Sequence, residues 1–156
     1  MIHWNQRSWR AEARGLPGTP QSLTLVAKAE SLGPATEFVR KGAQEANLPE
    51  SRMLELDLLI EEILVNIWRY SYPKGAQGTV TVTYSIPEPG ELAVEVGDQG
   101  VEFDPLKASS PDLALDLARR PVGGLGILLL KSFAGSLTYR REQGWNRLTF
   151  GISANP

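Results

Sequence analysis

A chain of 156 residues with 42% hydrophobic content is long enough for one domain that buries most of its apolar surface and too short for two sizeable ones. Its 16 basic and 18 acidic residues leave a formal charge of −2 with no long run of either sign, which removes the electrostatic footprint of a nucleic-acid binder. The absence of cysteine excludes disulfides, thiolate metal sites and thiol nucleophiles, and no apolar stretch is long enough to cross a bilayer.

The start, Met1-Ile2-His3-Trp4-Asn5, lacks the hydrophobic core of a signal peptide, so a cytoplasmic protein is expected. Residues 1–20 hold Trp4, Trp9, three arginines and the breakers Gly15, Pro17, Gly18 and Pro20 without a sustained period. They read as a loosely packed extension, with a partner-binding arm as the alternative that the two tryptophans keep open. From Ser22, the positions Leu23, Leu25, Ala27 and Ala29 alternate with polar or small residues as a half-buried strand does. Pro34 sits early in a predicted helix that runs to about Ala46, before the break at Asn47-Leu48-Pro49. A longer helix is predicted from about Glu50 to Tyr70, ended by Pro73, Lys74 and Gly75. Its apolar positions Leu54, Leu58, Leu59, Ile63, Leu64, Ile67 and Trp68 exceed a narrow stripe, which predicts a largely buried helix.

The second half reads as a sheet with one helical interruption. Val80, Val82, Tyr84 and Ile86 alternate with threonines and serine, and Pro87-Glu88-Pro89-Gly90 turns the chain into Leu92, Val94 and Val96. After a polar, proline-bearing stretch comes a predicted helix over Ile127 to Phe133, closed by Gly135. Leu137 and Tyr139, then Leu148, Phe150 and Ile152, predict a final hairpin around Gln143-Gly144.

Three polar islands interrupt this pattern. Glu62 and Asn66 project from one face of the long helix, in a stripe with Glu55 and Arg69. A solvated helix edge explains the pair when it is taken alone. Asn66, however, is a mediocre helix former whose amide must face water or find a partner. An oxygen ligand for Mg²⁺ is one such role, and a carboxylate one turn away supplies a base. Asp98-Gln99-Gly100 follows a strand, where an acceptor can read an amino group or satisfy its own turn; Phe103 nearby is expected to pack. Gly123-Gly124-Leu125-Gly126 opens an apolar helix, where free N–H groups can meet phosphate or the glycines can serve as a hinge. It is no P-loop, since no Lys-Ser or Lys-Thr follows, and the parallel unit of a dinucleotide fingerprint is missing.

In order, Glu61-Glu62-Ile63-Leu64-Val65-Asn66, Asp98-Gln99-Gly100-Val101-Glu102-Phe103-Asp104-Pro105, Gly123-Gly124-Leu125-Gly126-Ile127 and Asn146-Arg147-Leu148-Thr149 resemble the ATPase boxes of the GHKL superfamily. The resemblance covers about Ser22 to Ile152 and is strongest to the small bacterial anti-sigma factor serine/threonine kinases. It implies an α+β fold: a two-layer sandwich with a mixed, mostly antiparallel sheet and helices on one face. One ATP-binding domain would span residues 21–154, with a lid at about 106–122.

By the same resemblance Glu62 is the general base, and Asn66 holds Mg²⁺ beside ATP. Asp98 accepts from the adenine amino group with Thr149 assisting through water, and Gly100 lets the backbone pass the base. Gly123, Gly124, Leu125 and Gly126 form the phosphate stretch, Gly124 and Gly126 meeting the phosphates, while Arg119 or Arg120 reaches them from the lid. Tyr70, Ser71 and Glu102 depart from the family's usual residues without removing a ligand. The implied function is phosphorylation of a serine or threonine on a STAS-domain anti-anti-sigma partner, combined with sequestration of a sigma factor or similar regulator. A homodimer is compatible with it. The alternative is a non-catalytic, nucleotide-binding sequestering module. An autophosphorylating sensor kinase is disfavoured, because the single histidine, His3, lies in the breaker-rich extension.

Overall fold

The computed structural model describes residues 18–73, 76–107 and 124–155. Strand β1 covers Gln21–Val26. It stops short of Ala29 because Ser31 Oγ donates to the Val26 carbonyl at 2.6 Å and closes a 3₁₀ turn over Ala29–Ser31. Helix α1, Leu32–Glu45, carries Pro34 in its first turn, where a missing N–H costs nothing. It ends on Asn47 at φ 59°, with Leu48 N–H donating to the Ala43 carbonyl at 2.9 Å, the bond of a Schellman cap.

Helix α2 is Glu50–Asn66, and the chain continues through a π turn at Ile67–Ser71 rather than in α geometry to Tyr70. The apolar count overstated its burial. Leu56, Leu59, Ile60, Ile63 and Leu64 are buried, but Leu54 and Leu58, one turn apart, are 59% and 47% exposed on the outward side. The helix lies in a single layer over the sheet, so one side meets the core and the other meets water.

Strands β2, Thr79–Ser85, and β3, Glu91–Asp98, form the first hairpin. Helix α3 runs Gly124–Phe133, starting earlier than predicted, so Gly124 and Gly126 lie in its first turn. Strands β4, Ser136–Glu142, and β5, Trp145–Ser153, close the fold around Gln143 at φ 50° and Gly144 at φ 81°, both left-handed as a tight hairpin turn requires. The sheet order is β1-β2-β3-β5-β4, and the expected mixed, mostly antiparallel sheet resolves into four ladders that are all antiparallel.

Alternation divides the sheet cleanly. Val82, Val96, Leu148 and Tyr139 are register partners in sequence across the sheet, as are Tyr84, Val94, Phe150 and Leu137, and these rows pack beneath the helices. The opposite face carries Thr83, Glu95, Thr149 and Thr138. The inner row at the open end of the sheet begins at the buried Val80 and turns polar through Asp98, Asn146 and Arg141.

One buried charge ties the layers together. Arg52, 6% exposed, donates Nε to the Ser153 carbonyl at 2.9 Å and Nη2 to the Phe133 carbonyl at 3.1 Å, and pairs with Glu55. Phe133 ends α3, where a cation satisfies an orphan carbonyl and complements the helix dipole. Arg52→Met, which keeps the stem but strands both carbonyls and Glu55, is expected to lower unfolding free energy by about 2–4 kcal/mol in a urea titration.

Candidate functional site

The site begins on α2. Glu62 and Asn66 are both half-buried. Among the described residues the fully enclosed side-chain polar atoms without a partner are Ser85 Oγ and Arg147 Nε, so the Glu62 carboxylate and the Asn66 amide are not sealed within the core. The first turn of helix α3 reaches this point. A Cβ at Gly126 would lie 2.8 Å from Glu62 Oε2 and 2.9 Å from Glu62 Cβ, closer than real Cβ atoms approach. Glycine at 126 is thus required by the carboxylate one helix away, which places Glu62 beside the first turn of α3. Gly126→Ala is expected to cost about 1–3 kcal/mol by urea denaturation, because the helix-bound Cβ of Glu62 cannot swing aside. Gly33→Ala, where nothing lies within 4 Å, should be neutral or mildly stabilising.

The second half of the site is the end of β3. Asp98 is buried, and its Oδ1 accepts from Gly100 N–H at 2.9 Å and from Asn146 Nδ2 at 3.0 Å. Among the described residues, no hydrogen bond reaches its Oδ2. Asn146 is the hub of this end: Nδ2 also donates to the Val101 carbonyl at 2.8 Å, and Oδ1 accepts from Tyr139 O–H at 2.8 Å and Phe103 N–H at 3.4 Å. The turn is held from outside as well. Tyr72 O–H donates to the Thr79 carbonyl at 2.6 Å and accepts from Gln99 N–H at 2.9 Å, and Arg141 Nη1 donates to the Gly100 carbonyl at 2.9 Å. After the π turn, the Ser71 carbonyl accepts from Val101 N–H at 2.9 Å, so the end of the Glu62–Asn66 helix is bonded to the Asp98 turn.

Burial is the leading cause that raises the phenols of Tyr72 and Tyr139 above their ordinary value. The Gln99 bond opposes it at Tyr72, and Glu102 adds to it at Tyr139. Both hydroxyls are therefore proton donors across the neutral range.

The structure brings Glu62, Asn66 and Gly126 together at one end and Asp98 and Gly100 at the other, linked through the helix and its π turn. Two expectations change. Thr149 is the register partner of Glu95 and donates to Glu95 Oε2 at 3.3 Å on the opposite face of the sheet, so it cannot assist Asp98; Asn146 stands in that place. Within the protein itself, a side chain at Gly100 would collide with the carbonyl and Cβ of Ser71. Phe103 is 55% exposed rather than packed. Gly124 and Leu125 lie in the first turn of α3, while Gly123, Arg119, Arg120 and all of the expected lid beyond Lys107 fall outside the described residues. Asn146, Tyr72 and Arg141 were not singled out from the sequence as site residues. Strand parity could have found the first, since Asn146 alternates in phase with Leu148 and Phe150, and Thr149 does not.

These residues fit a purine nucleotide with a metal bound mainly through its phosphates. The free Asp98 oxygen suits an amino group, and Asn66 offers a neutral oxygen ligand. Among the described residues, no group of three or more acidic or histidine side chains is placed to hold a metal ion.

Residues 25–152 match the family of histidine kinase-like ATPase domains, and the chain belongs to that family. It is 33% identical over 101 residues to the serine/threonine-protein kinase BtrW of Bordetella bronchiseptica, an alignment covering 65% of this chain and 70% of that protein. The fold matches the crystal structure of the RsbU and RsbW domains of Rv1364c from Mycobacterium tuberculosis with a TM-score of 0.61 at 16% identity. That match covers 90% of this chain but only 34% of the larger one, so this chain spans about a third of its length. No helix among the described residues is long and apolar enough to cross a membrane.

Proposed function

We propose that this protein is an ATP-dependent serine/threonine kinase of the bacterial cytoplasm that phosphorylates a STAS-domain partner and, in the same partner-switching cycle, sequesters a sigma factor or similar regulator. The observation that carries the reading is the contact of Glu62 with Gly126, which sets a carboxylate against the first turn of a helix whose N–H groups suit phosphate. The similarity to a named serine/threonine kinase supports the choice of acceptor.

In this reading Asp98 Oδ2 accepts from the adenine amino group and Asn66 supplies an oxygen to Mg²⁺. The backbone of Gly124 to Gly126 would meet the phosphates, with Gly123 and a cation from Arg119 or Arg120 assigned to them by the family resemblance. Bound Mg·ATP supplies an activated phosphoryl group whose charge the metal offsets. Glu62 takes the proton from the incoming hydroxyl, and the α2–α3 contact holds its carboxylate in place for that transfer. The test is transfer of labelled γ-phosphate to a STAS-domain protein from the same genome. Acid-stable label on serine or threonine is expected; nucleotide binding without transfer to any such protein would reduce the domain to a binding module.

A further inference from the structure

We propose that residues 1–17 dock across the outer face of the sheet, where Trp4 or Trp9 covers a floor of small residues and the segment's arginines meet Glu88 and Glu91. The sequence leaves this segment between a loose extension and an arm for another protein. Its place in the fold is a third one, a cover for its own sheet.

Helices α1, α2 and α3 all pack on one face, so the other face of a two-layer fold should meet water. At one place it does not. Ser85, Ala93, Gly151 and Ser136 are register partners across β2, β3, β5 and β4, and alternation turns them away from the helices. Ser85 is 1% exposed, Ala93 0%, and Gly151 is buried, yet Ala93 stands outside the core that the helices cover. The next row explains its own burial: Glu95 is sheltered by Arg140 at 3.2 Å and Arg147 at 3.1 Å. Both arginines stand in the Gly97 row, so Glu95 leans away from Ala93 and leaves it uncovered. The buried Ser85 Oγ also has no hydrogen-bond partner, and a group that covered it, such as an indole N–H, would supply one.

A single chain produces this burial, so the cover is part of the chain. Residues 108–123 join the described chain near the Asp98 turn and beside Glu62, at the other end of the strands. Residues 1–17 enter at the right place. Gly18, at φ 87°, lies against the Ile86 carbonyl, where a Cβ would come within 3.1 Å, so the segment leaves the fold beside the residue that follows Ser85. From Ser85 to Gly151 is two strand spacings, about 10 Å. Seventeen residues reach up to about 56 Å, so length is no obstacle. The chemistry matches as well. Trp4 and Trp9 offer flat rings for a floor made of Ala93 and Gly151, and Arg7, Arg10 and Arg14 outnumber Glu12. Glu88 and Glu91 lie at this end of the sheet, and among the described residues no ion pair reaches either. Burial first, and Glu88 second, raise the Glu91 carboxyl above its ordinary value, a cost that an arginine relieves.

In a chain without cysteine, Ser85→Cys is a unique probe of this cover. In the full chain its thiol is expected to react with a maleimide at least about 100-fold more slowly than in urea. Adding Trp4→Ser and Trp9→Ser should raise the native rate about tenfold or more. Fast reaction in the native full chain would overturn the proposal, as would a slow rate that loss of both tryptophans leaves unchanged. A rate that falls as protein concentration rises gives the face to a second copy and overturns it too. A second measurement leaves the floor of the sheet untouched, and decides the matter even if Ser85→Cys fails to fold. Trp68→Phe with Trp145→Phe leaves Trp4 and Trp9 as the only indoles, whose quenching by acrylamide should be several-fold weaker than that of free tryptophan amide. Equal quenching means that the segment is not docked.

Discussion

Asp98→Asn is expected to lower ATP affinity by on the order of 100-fold while leaving the fold intact. The asparagine oxygen can still accept from Gly100 N–H and Asn146 Nδ2, the two bonds that organise the turn. What changes is the second oxygen, which becomes an NH₂ facing the amino group of the base. Two donors then oppose each other in a place that is 5% exposed, so neither keeps its full hydration. Isothermal calorimetry with ATP and Mg²⁺ measures the loss, and a thermal midpoint close to wild type establishes that the site rather than the fold was changed. Equal affinity in the two proteins would mean that the base is not read at Asp98.

That outcome depends on a feature only half legible in the sequence. The hydrophobic periods placed the helices and strands, and the order of the polar islands pointed to Glu62, Asn66, Asp98 and the glycine cluster as one proposed site. Composition could not say which side of a helix meets solvent, so Leu54 and Leu58 were counted with the core although they face outward. Nor could the sequence show that Gly100 is pressed by Ser71, since that contact joins a helix end to a turn through a π segment with no simple periodic signature. Thr149 shows a different kind of loss. The motif stands in the sequence, but the period of two along β5, anchored by Leu148 and Phe150 in the core, turns Thr149 toward Glu95 and Asn146 toward Asp98. Arg52 was invisible for a related reason: an arginine with buried partners on two distant carbonyls looks, in one dimension, like an ordinary surface charge.

Glu62→Gln is expected to reduce phosphoryl transfer to a STAS-domain substrate by about 10²–10⁴-fold. ATP affinity should stay within about threefold of wild type, because the change removes a proton acceptor rather than a binding contact to the base. Glutamine is the right replacement because the contact with Gly126 is tight: a residue of the same length preserves the approach of α3 to α2, whereas alanine would leave a gap there and confuse chemistry with packing. The amide cannot hold a proton taken from serine or threonine at neutral pH, so the acceptor hydroxyl must lose its proton without help. Single-turnover transfer with ATP saturating separates this step from nucleotide binding. If Glu62→Gln transferred phosphate at the wild-type rate, Glu62 would not be the base, and its packing against Gly126 would be a structural contact alone. If wild type itself bound ATP but transferred nothing, nucleotide-dependent capture of a partner would be the function, and Glu62→Gln should leave that capture unchanged.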